Sequence, residues 1–419
     1  MKLDILKKIT DFYLTSGDYN GLPTRSIVEV DSIKTMRKIV SELVSDELVS
    51  VVYGDCHPNP HIKALEVEPV SEQIKKIPND IFEHACLYPE SKHLEEVVDK
   101  NSYADRPFEL CLALGEPQLK FKSFEISVLE QYRNDPRFYY DFDDISWYIC
   151  ISNDHFDSDN VKESDKVLLK SFGVSIDHNK EIYIAAFNRY LAKLSPEHQQ
   201  YWNGKLVNER LQLHPDYFRT SIVGEFPERM SLYRAVLTEM QTINVLSKAI
   251  GREQFFINDF KDDNRPREFG YLLRPSLRDY NNFVCLLDKM LSDNINKKFF
   301  NNDVSLEIEE ERKDGKLIVR QKGTIRILED WIRKVFHTKN QEIIDEMVNT
   351  FKRVRAERQK PSHAVVDNIF DKNYLAKQRE IMKLVYRALK TLRCILHLHP
   401  AASSVKIDEH LENELIWPF

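Results

Sequence analysis

Glycine is scarce in this chain, with 11 residues in 419. None of these glycines forms a GxxxxGK(S/T) or GxGxxG pattern. Those patterns matter because glycine lets a loop wrap closely around phosphate groups. The sequence therefore shows no loop for ATP or a dinucleotide, which argues against a nucleotide-driven motor or a dehydrogenase, and we expect no cofactor.

Cysteine is also sparse, with six residues that lie far apart and form no CxxC pair. This spacing argues against a zinc ribbon and against a disulfide framework, so we expect reduced, mostly buried thiols. His178, His198 and His214 are scattered, and none of these three is paired at HxxxH or HExxH spacing. Aspartates between Asp141 and Asp159 invite a divalent-cation hypothesis, but the glycine and distal glutamate of a calcium loop are missing. We interpret them as solvated turn acids and predict no metal site.

Long apolar runs are absent, and the N-terminal MKLDILKKIT lacks the apolar core of a signal peptide. The sequence thus predicts a cytoplasmic protein that makes no membrane contact. At 419 residues the chain is long for a single hydrophobic core, so two or three domains are expected.

Residues 1–65 have the pattern of a small domain with helices and strands. Apolar spacing predicts one helix that stops near Gly17 and a second over Ser32–Val44. Two β-rich runs follow, Leu48–Tyr53 and His61–Leu65, with turn residues between them. This order resembles a winged helix-turn-helix, in which the second helix would be the recognition helix.

The winged-helix resemblance implies that Lys34, Arg37 and Lys38 face a nucleic-acid backbone. However, residues 1–65 hold eight basic and nine acidic side chains, so no overall positive field drives such binding. Contact with a partner protein is an equal alternative for this domain.

The middle of the chain changes character several times. We interpret 66–105 as a connector and 106–302 as a mixed α/β and then helical domain. A small, mostly antiparallel sheet is expected between Pro107 and Asp159, and helices are expected over 182–194, 196–202, 231–250 and 276–291. Alternating runs around Asp314-Gly315 predict a β-hairpin within 303–323.

Residues 324–419 predict a helical bundle, because three segments carry apolar residues at spacings of three and four. The tail around Trp417 is apolar enough to dock on the body of the protein. Taken together, the sequence predicts a mainly α (α+β) chain with a winged-helix-like N-terminal domain, a small mixed α/β middle region and a C-terminal helical bundle.

Positive charge concentrates in this last region. Between Phe351 and Pro400 there are twelve lysines and arginines against four acids, in a chain whose formal net charge is −7. Such a segment is either a local site for a polyanion or a solvated helix face rich in basic residues. The sequence leaves these alternatives open.

One motif falls inside the basic segment: Arg358 and His363, separated by four residues, at the predicted junction of two helices. This arrangement resembles the HEPN superfamily of helical-bundle ribonucleases, whose hallmark is Arg-x4–6-His. The resemblance implies a homodimer that cleaves RNA without a metal. His363 would transfer protons, Arg358 would stabilise charge on the phosphorane and Gln359 would assist.

The residues around the motif complete this hypothesis. Arg353, Arg355 and Lys360 would contact the nucleic acid. Replacing Arg358 or His363 is expected to remove cleavage and leave the fold intact, because a polar residue at an exposed helix end contributes little to stability. A second pair with permitted spacing, Arg393 and His399, is the rival candidate.

Three functional hypotheses follow from these patterns. The first is a HEPN-type endoribonuclease of bacterial phage defence or regulation. The second is a non-enzymatic regulator that binds DNA or RNA. The third is a scaffold that binds a partner protein through the winged helix.

Overall fold

The computed structural model describes residues 1–27, 33–54, 59–63, 65–140, 142, 144–261, 264–300, 303–311, 317–359 and 367–417. About 51% of the chain is helical and 14% is strand, which confirms the α+β class with helix predominant. No helix in the described ranges is long and apolar enough to cross a membrane. The chain divides into two compact units. Unit 1 comprises 1–139 and 146–214, and unit 2 comprises 140–145 and 215–419.

The first part of unit 1 combines two helices with a three-stranded antiparallel sheet. The helices are α1 (Lys2–Thr15) and α2 (Ile33–Ser45), and the strands are β1 (Leu22–Pro23), β2 (Val49–Val52) and β3 (Cys86–Pro89) in the order β1-β3-β2. On α2 the apolar residues at helical spacing are buried, as predicted: Met36, Ile39, Val40, Leu43 and Val44.

The strand that pairs with β2 was predicted wrongly. His61, Ile62 and Lys63 lie in a turn and a loop, and β3 takes the place expected for 61–65. All four residues of β3 are buried, whereas His61 and Ile62 are only half-buried. The sheet therefore recruits the more apolar run, although it lies farther along the chain.

A second, seven-stranded sheet also belongs to unit 1, and each of its pairings is antiparallel. Its first three strands lie where the sequence predicted a small, mostly antiparallel sheet, between Pro107 and Asp159, whereas its four later strands were not predicted as part of it. Its strands are β4 (Phe121–Phe124), β5 (Phe138–Tyr139), β6 (Ser146–Ile151), β7 (Leu168–Ile176), β8 (Ile182–Phe187), β9 (Leu206–Val207) and β10 (Gln212–Leu213). The order is β5-β6-β7-β8-β4-β9, with β10 paired to the end of β7.

The helix predicted over 182–194 is a second error. Ile182–Phe187 is the strand β8, and only Asn188–Leu191 that follows is helical. Four successive β8 residues, 184 to 187, are buried between the neighbouring strands. A short run that is buried throughout has no period by which sequence could distinguish strand from helix.

Short helices connect and cover these sheets. They are α3 (Val70–Lys76), α4 (Ser91–Val97), α5 (Pro107–Ala113), α6 (Glu130–Asn134), α7 (Asn153–Phe156), α8 (Asn188–Leu191) and α9 (Pro196–Asn203). The predicted start of α9 is confirmed, because the Ser195 side chain accepts a hydrogen bond from the backbone N–H of His198. Such a cap satisfies one of the unpaired N–H groups of the first helical turn.

Unit 2 is a helical bundle with one hairpin. Its elements are α10 (Pro215–Phe218), α11 (Leu232–Ala249), α12 (Leu277–Leu291), β11 (Glu307–Glu311), β12 (Leu317–Gln321), α13 (Thr324–Val335), α14 (Glu342–Gln359), α15 (Asn373–His397) and α16 (Glu409–Glu412). α15 packs against α11 and α14, and α14 also packs against α12. The bundle thus includes α11 and α12, which the sequence analysis assigned to the middle domain.

Two smaller predictions in unit 2 are confirmed. Strands β11 and β12 pair antiparallel as a hairpin, whose turn at 312–316 lies outside the described residues. The tail docks as expected: the Trp417 indole N–H donates to Asp216 at 2.7 Å, and its backbone N–H donates to the Met230 carbonyl.

The described cysteines are free thiols, as predicted, but only Cys86 among them is fully buried. Cys111, Cys150 and Cys285 are half-buried, and Cys394 is exposed.

A buried ion pair joins α11 to α15. Arg393 Nε donates to Glu239 Oε2 at 2.6 Å, and both side chains are almost fully buried. The other carboxylate oxygen of Glu239 is buried and accepts no hydrogen bond from the described residues. Because a carboxylate inside a protein interior is costly to ionise, this pair is sensitive to the protonation of Glu239.

Replacing Glu239 by glutamine should flatten the dependence of stability on pH. Burial raises the pKa of Glu239 to about 7, although Arg393 acts in the opposite direction. The folded protein therefore holds this proton more tightly than the unfolded chain does. The resulting stabilisation is present below the unfolded pKa and is lost as the pH rises through about 7.

The check is the urea midpoint of unfolding, measured between about pH 5 and pH 8. The wild-type midpoint should fall more steeply with pH than that of Glu239→Gln. Parallel curves for the two proteins would contradict the assignment of a raised pKa to Glu239.

Candidate functional site

The end of α14 places two of the predicted site residues against α12. Arg355 and Arg358 are three residues apart and so share a helix face. Arg355 Nε lies 2.8 Å from Asp288 Oδ2, and its Nη2 lies 2.6 Å from Asp293 Oδ1. Arg358 Nη1 lies 2.7 Å from both Asp288 Oδ2 and Asp293 Oδ2. The four side chains form one cluster of two cations and two anions.

The members of this cluster differ in exposure. The Asp288 side chain is 0% exposed, that of Asp293 is 42% exposed and that of Arg358 is 30% exposed. Partial burial acts to raise the pKa of Asp293, but the hydrogen bond from Arg358 and the charge of Arg355 outweigh it and hold that pKa below its usual range. The hydrogen bonds that Arg358 donates to Asp288 and Asp293 raise the pKa of Arg358.

The sequence predicted that Arg358 lies at an exposed helix end, where it contributes little to stability. This prediction is wrong, because Arg358 is part of a charged cluster. It neutralises a fully buried carboxylate, and a buried carboxylate without its partner is strongly destabilising. An RNA phosphate at Arg358 would have to share the guanidinium with these two carboxylates.

The other predicted site residues of this region are described only in part. Gln359 is the last residue of α14. Arg353 Nη2 reaches across to Glu380 Oε1 on α15 at 2.8 Å, and both side chains are about half exposed. His363 and Lys360 lie outside the described residues.

The excess of positive charge in 351–400 is largely balanced in three dimensions. At least six of its twelve basic residues make ion pairs with described acids. The pairs are Lys352 with Glu329, Arg353 with Glu380, Arg355 and Arg358 with Asp288 and Asp293, Lys390 with Glu414, and Arg393 with Glu239. All of these acids except Glu380 come from outside the segment, so a count along the sequence could not include them.

The rival motif has structural roles. Arg393 is buried in its pair with Glu239, and the His399 ring accepts a hydrogen bond from the backbone N–H of Ala401. His399 thereby caps the short helical turn Pro400–Ala402.

The three basic residues predicted on α2 separate into two groups. Lys34 and Lys38, four residues apart, are exposed, and neither pairs with an acid in the described parts of the chain. Arg37 instead donates to the carbonyls of Pro78 and Asn79, at 2.7 and 3.3 Å. Its guanidinium also lies 5.9 Å from the centre of the Phe82 ring. Lys34 and Lys38 remain open to a ligand, whereas Arg37 fastens α2 to the segment before β3.

Within the described ranges, no group of three or more histidine, cysteine, aspartate or glutamate side chains is placed to hold a metal ion. Asp141 and Asp143, two of the acids considered above, lie outside those ranges.

Sequence reasoning missed the acids that bind the predicted arginines. Asp288 lies on the buried face of α12, and Glu239 lies on the buried face of α11. The available signal was a charged residue at a position where helical spacing predicts an apolar one. That signal identifies a buried acid but cannot name its partner 67 or 154 residues away.

Comparison with known proteins finds no matching family model, no matching curated protein and no matching solved structure.

Replacing Arg358 by alanine should destabilise unit 2. The buried Asp288 would keep only Arg355, and removing one partner from a buried ion pair costs about 3–5 kcal/mol when no second partner remains. Because Arg355 stays in place, we expect a loss of roughly 1–3 kcal/mol, seen as a lower urea midpoint of unfolding.

The matched control is Arg353→Ala, on the same helix, whose pair with Glu380 is exposed. An exposed pair contributes less than about 1 kcal/mol, so this variant should unfold close to wild type. Equal midpoints for Arg358→Ala and Arg353→Ala would show that the cluster does not stabilise the bundle.

Proposed function

We propose that the protein is a non-enzymatic regulator that binds nucleic acid through α2. The observation that carries this proposal is the pair of exposed lysines, Lys34 and Lys38, which have no acidic partner in the described residues. Many of the other basic residues singled out in the sequence are already neutralised by acids of the same chain. Free cations on one helix face are what a phosphate backbone requires.

The surrounding elements support the same proposal. The order α1, β1, α2, β2, β3, with a three-stranded antiparallel sheet, is compatible with the winged-helix resemblance. In helix-turn-helix proteins the second helix enters the major groove of DNA. With α2 in that role, Lys34 and Lys38 would contact phosphates, while Arg37 would keep the helix in place against Pro78 and Asn79.

Because few phosphate contacts are available, binding should be weak and strongly dependent on salt. Two phosphate contacts on duplex DNA correspond to a slope of about −2 in a plot of log affinity against log salt concentration. Lys34→Glu combined with Lys38→Glu should abolish the gel shift that wild type gives with duplex DNA or RNA at low salt.

The matched control is Lys100→Glu combined with Lys162→Glu, which changes two exposed lysines of unit 1 and produces the same net charge. This control should shift nucleic acid as wild type does. Loss of binding in both double variants would assign the effect to overall charge. No wild-type shift at low salt would remove the nucleic-acid role and leave α2 as a surface for a partner protein.

A second candidate function is a HEPN-type endoribonuclease, active as a homodimer. The observation that favours it is the placement of two guanidinium groups, Arg355 and Arg358, within one turn of the end of α14. Asp293, which both contact, is partly exposed and could give way to an RNA phosphate. Two fixed guanidiniums would then stabilise the charge on the phosphorane, and His363 would transfer the proton.

Catalysis is best tested at His363, because Arg358→Ala also disturbs the fold. His363→Ala should lower RNA cleavage by about 10²- to 10⁴-fold, as expected for a missing proton-transfer group. Cleavage should persist in EDTA and leave 2′,3′-cyclic phosphate ends, since the 2′-hydroxyl is the nucleophile. The control is His399→Ala, at an exposed histidine, which should cut at the wild-type rate.

Arg358→Lys provides a second variant that keeps a positive charge beside Asp288 but loses the two-pronged geometry of arginine. This variant should fold as wild type does, but it should cleave RNA more slowly than wild type. If the wild type never cuts RNA, or if His363→Ala cuts as fast as wild type, the ribonuclease hypothesis is wrong.

A further inference from the structure

An open groove of about 650 Å³ lies on unit 1, outside the sites discussed above. Its walls are mostly apolar, and all of its lining residues belong to the same unit: Leu65, Lys120, Phe121, Arg210, Leu211, Gln212 and Leu213. Leu211 is buried, whereas Leu65 is 53% exposed. The volume lies within the range of protein sites that bind small molecules or short segments of a partner.

The groove exists because two adjacent segments of the sheet diverge. Strand β9 pairs with β4 at Ser123 and Phe124 only. If the pairing of Ser123 with Val207 continued for three more residues, Lys120 would lie opposite Arg210. The described ladder does not extend that far. The chain after Val207 instead turns toward β7, where β10 pairs with Ser175 and Ile176. The groove is the opening between the separated segments.

Among the described pairings, this divergence leaves part of β4 without a neighbour on its β9 side. The backbone N–H of Asn188, after β8, donates to the Lys120 carbonyl, and the Glu125 N–H donates to the Lys205 carbonyl, before β9. Successive residues of a strand point their backbone N–H and C=O groups to opposite sides. Residues 121, 123 and 125 therefore all point these groups toward β9. Phe121 therefore turns its N–H and C=O toward the groove, where the described ladder supplies no partner.

The charge of the groove is of one sign. Its lining includes Lys120 and Arg210 and no acid. Lys120 makes an ion pair of 3.3 Å with Glu116 that is half exposed on the lysine side, and such a pair is weak. Arg210 is exposed and has no ion-pair partner in the described part of the chain.

We propose that this groove binds an extended peptide segment that carries alternating apolar and acidic side chains. The peptide adds one strand along the Phe121 edge of β4, so that main-chain hydrogen bonds supply affinity. Its apolar side chains contact Leu65, Leu211 and Leu213, and an acidic side chain pairs with Arg210 and Lys120. The proposal is independent of the nucleic-acid surface on α2, so either can fail alone.

The experiment selects random octapeptides displayed on phage against the full-length protein and measures the enriched peptides, labelled with fluorescein, by anisotropy. Enriched sequences should alternate apolar and acidic residues. Arg210→Glu removes a charge-assisted contact and should weaken binding about tenfold or more. Leu65→Glu replaces an apolar contact with an acid that repels the acidic peptide, and should weaken binding by a similar factor. Lys162→Glu, with the same change of charge outside the groove, should bind as wild type.

A second readout tests the strand geometry. Methylating one backbone nitrogen of the selected peptide at the position facing Phe121 removes a donor and should weaken binding by about tenfold, whereas methylation at the next residue should have little effect. Three results would overturn the proposal: no enriched sequence, enrichment of basic peptides, or binding that Arg210→Glu leaves unchanged.

Discussion

Two buried carboxylates constrain the helical unit. Asp288 on α12 and Glu239 on α11 are fully enclosed, and each is neutralised by arginines from a helix that comes later in the chain. Removing a carboxylate from water is costly, and the attraction between the partners offsets that cost only when their geometry is good. α14 and α15 are thereby held at one register along α12 and α11, because a shift would separate a buried charge from its partner.

The same ion pairs account for part of the positive charge in residues 351–400. Arginines that mark an anion site in the sequence are bound in the structure to anions of the same chain, which is why positive charge along a helix is a weak guide to a ligand. A phosphate would have to compete with carboxylates at distances of 2.6 to 2.8 Å. The positions best suited to an external partner are those where the cation has no acidic partner among the described residues, such as Lys34, Lys38 and Arg210.

The groove of unit 1 has a different origin. The second sheet of this unit ends at β9, and β10 pairs with β7; both strands have two residues and cover only part of their neighbours. Short edge strands protect a sheet from uncontrolled pairing, but where two of them diverge they also expose a defined stretch of backbone. The groove beside Phe121 combines that stretch with apolar and basic side chains.

The sequence by itself determined most of the long helices and the hairpin of this protein. Helical spacing located α2, α11, α12, α14 and α15, and Asp314-Gly315 located the hairpin, because these signals act between residues only a few positions apart. Only the tertiary structure decided that Ile182–Phe187 is a strand, that β3 pairs with β2, and that Arg358 and Arg393 serve buried acids. In each of these cases the deciding contact joins residues far apart in the chain. Each of these outcomes depends on which distant segment of the chain packs against the residue in question. A local sequence pattern does not contain that information.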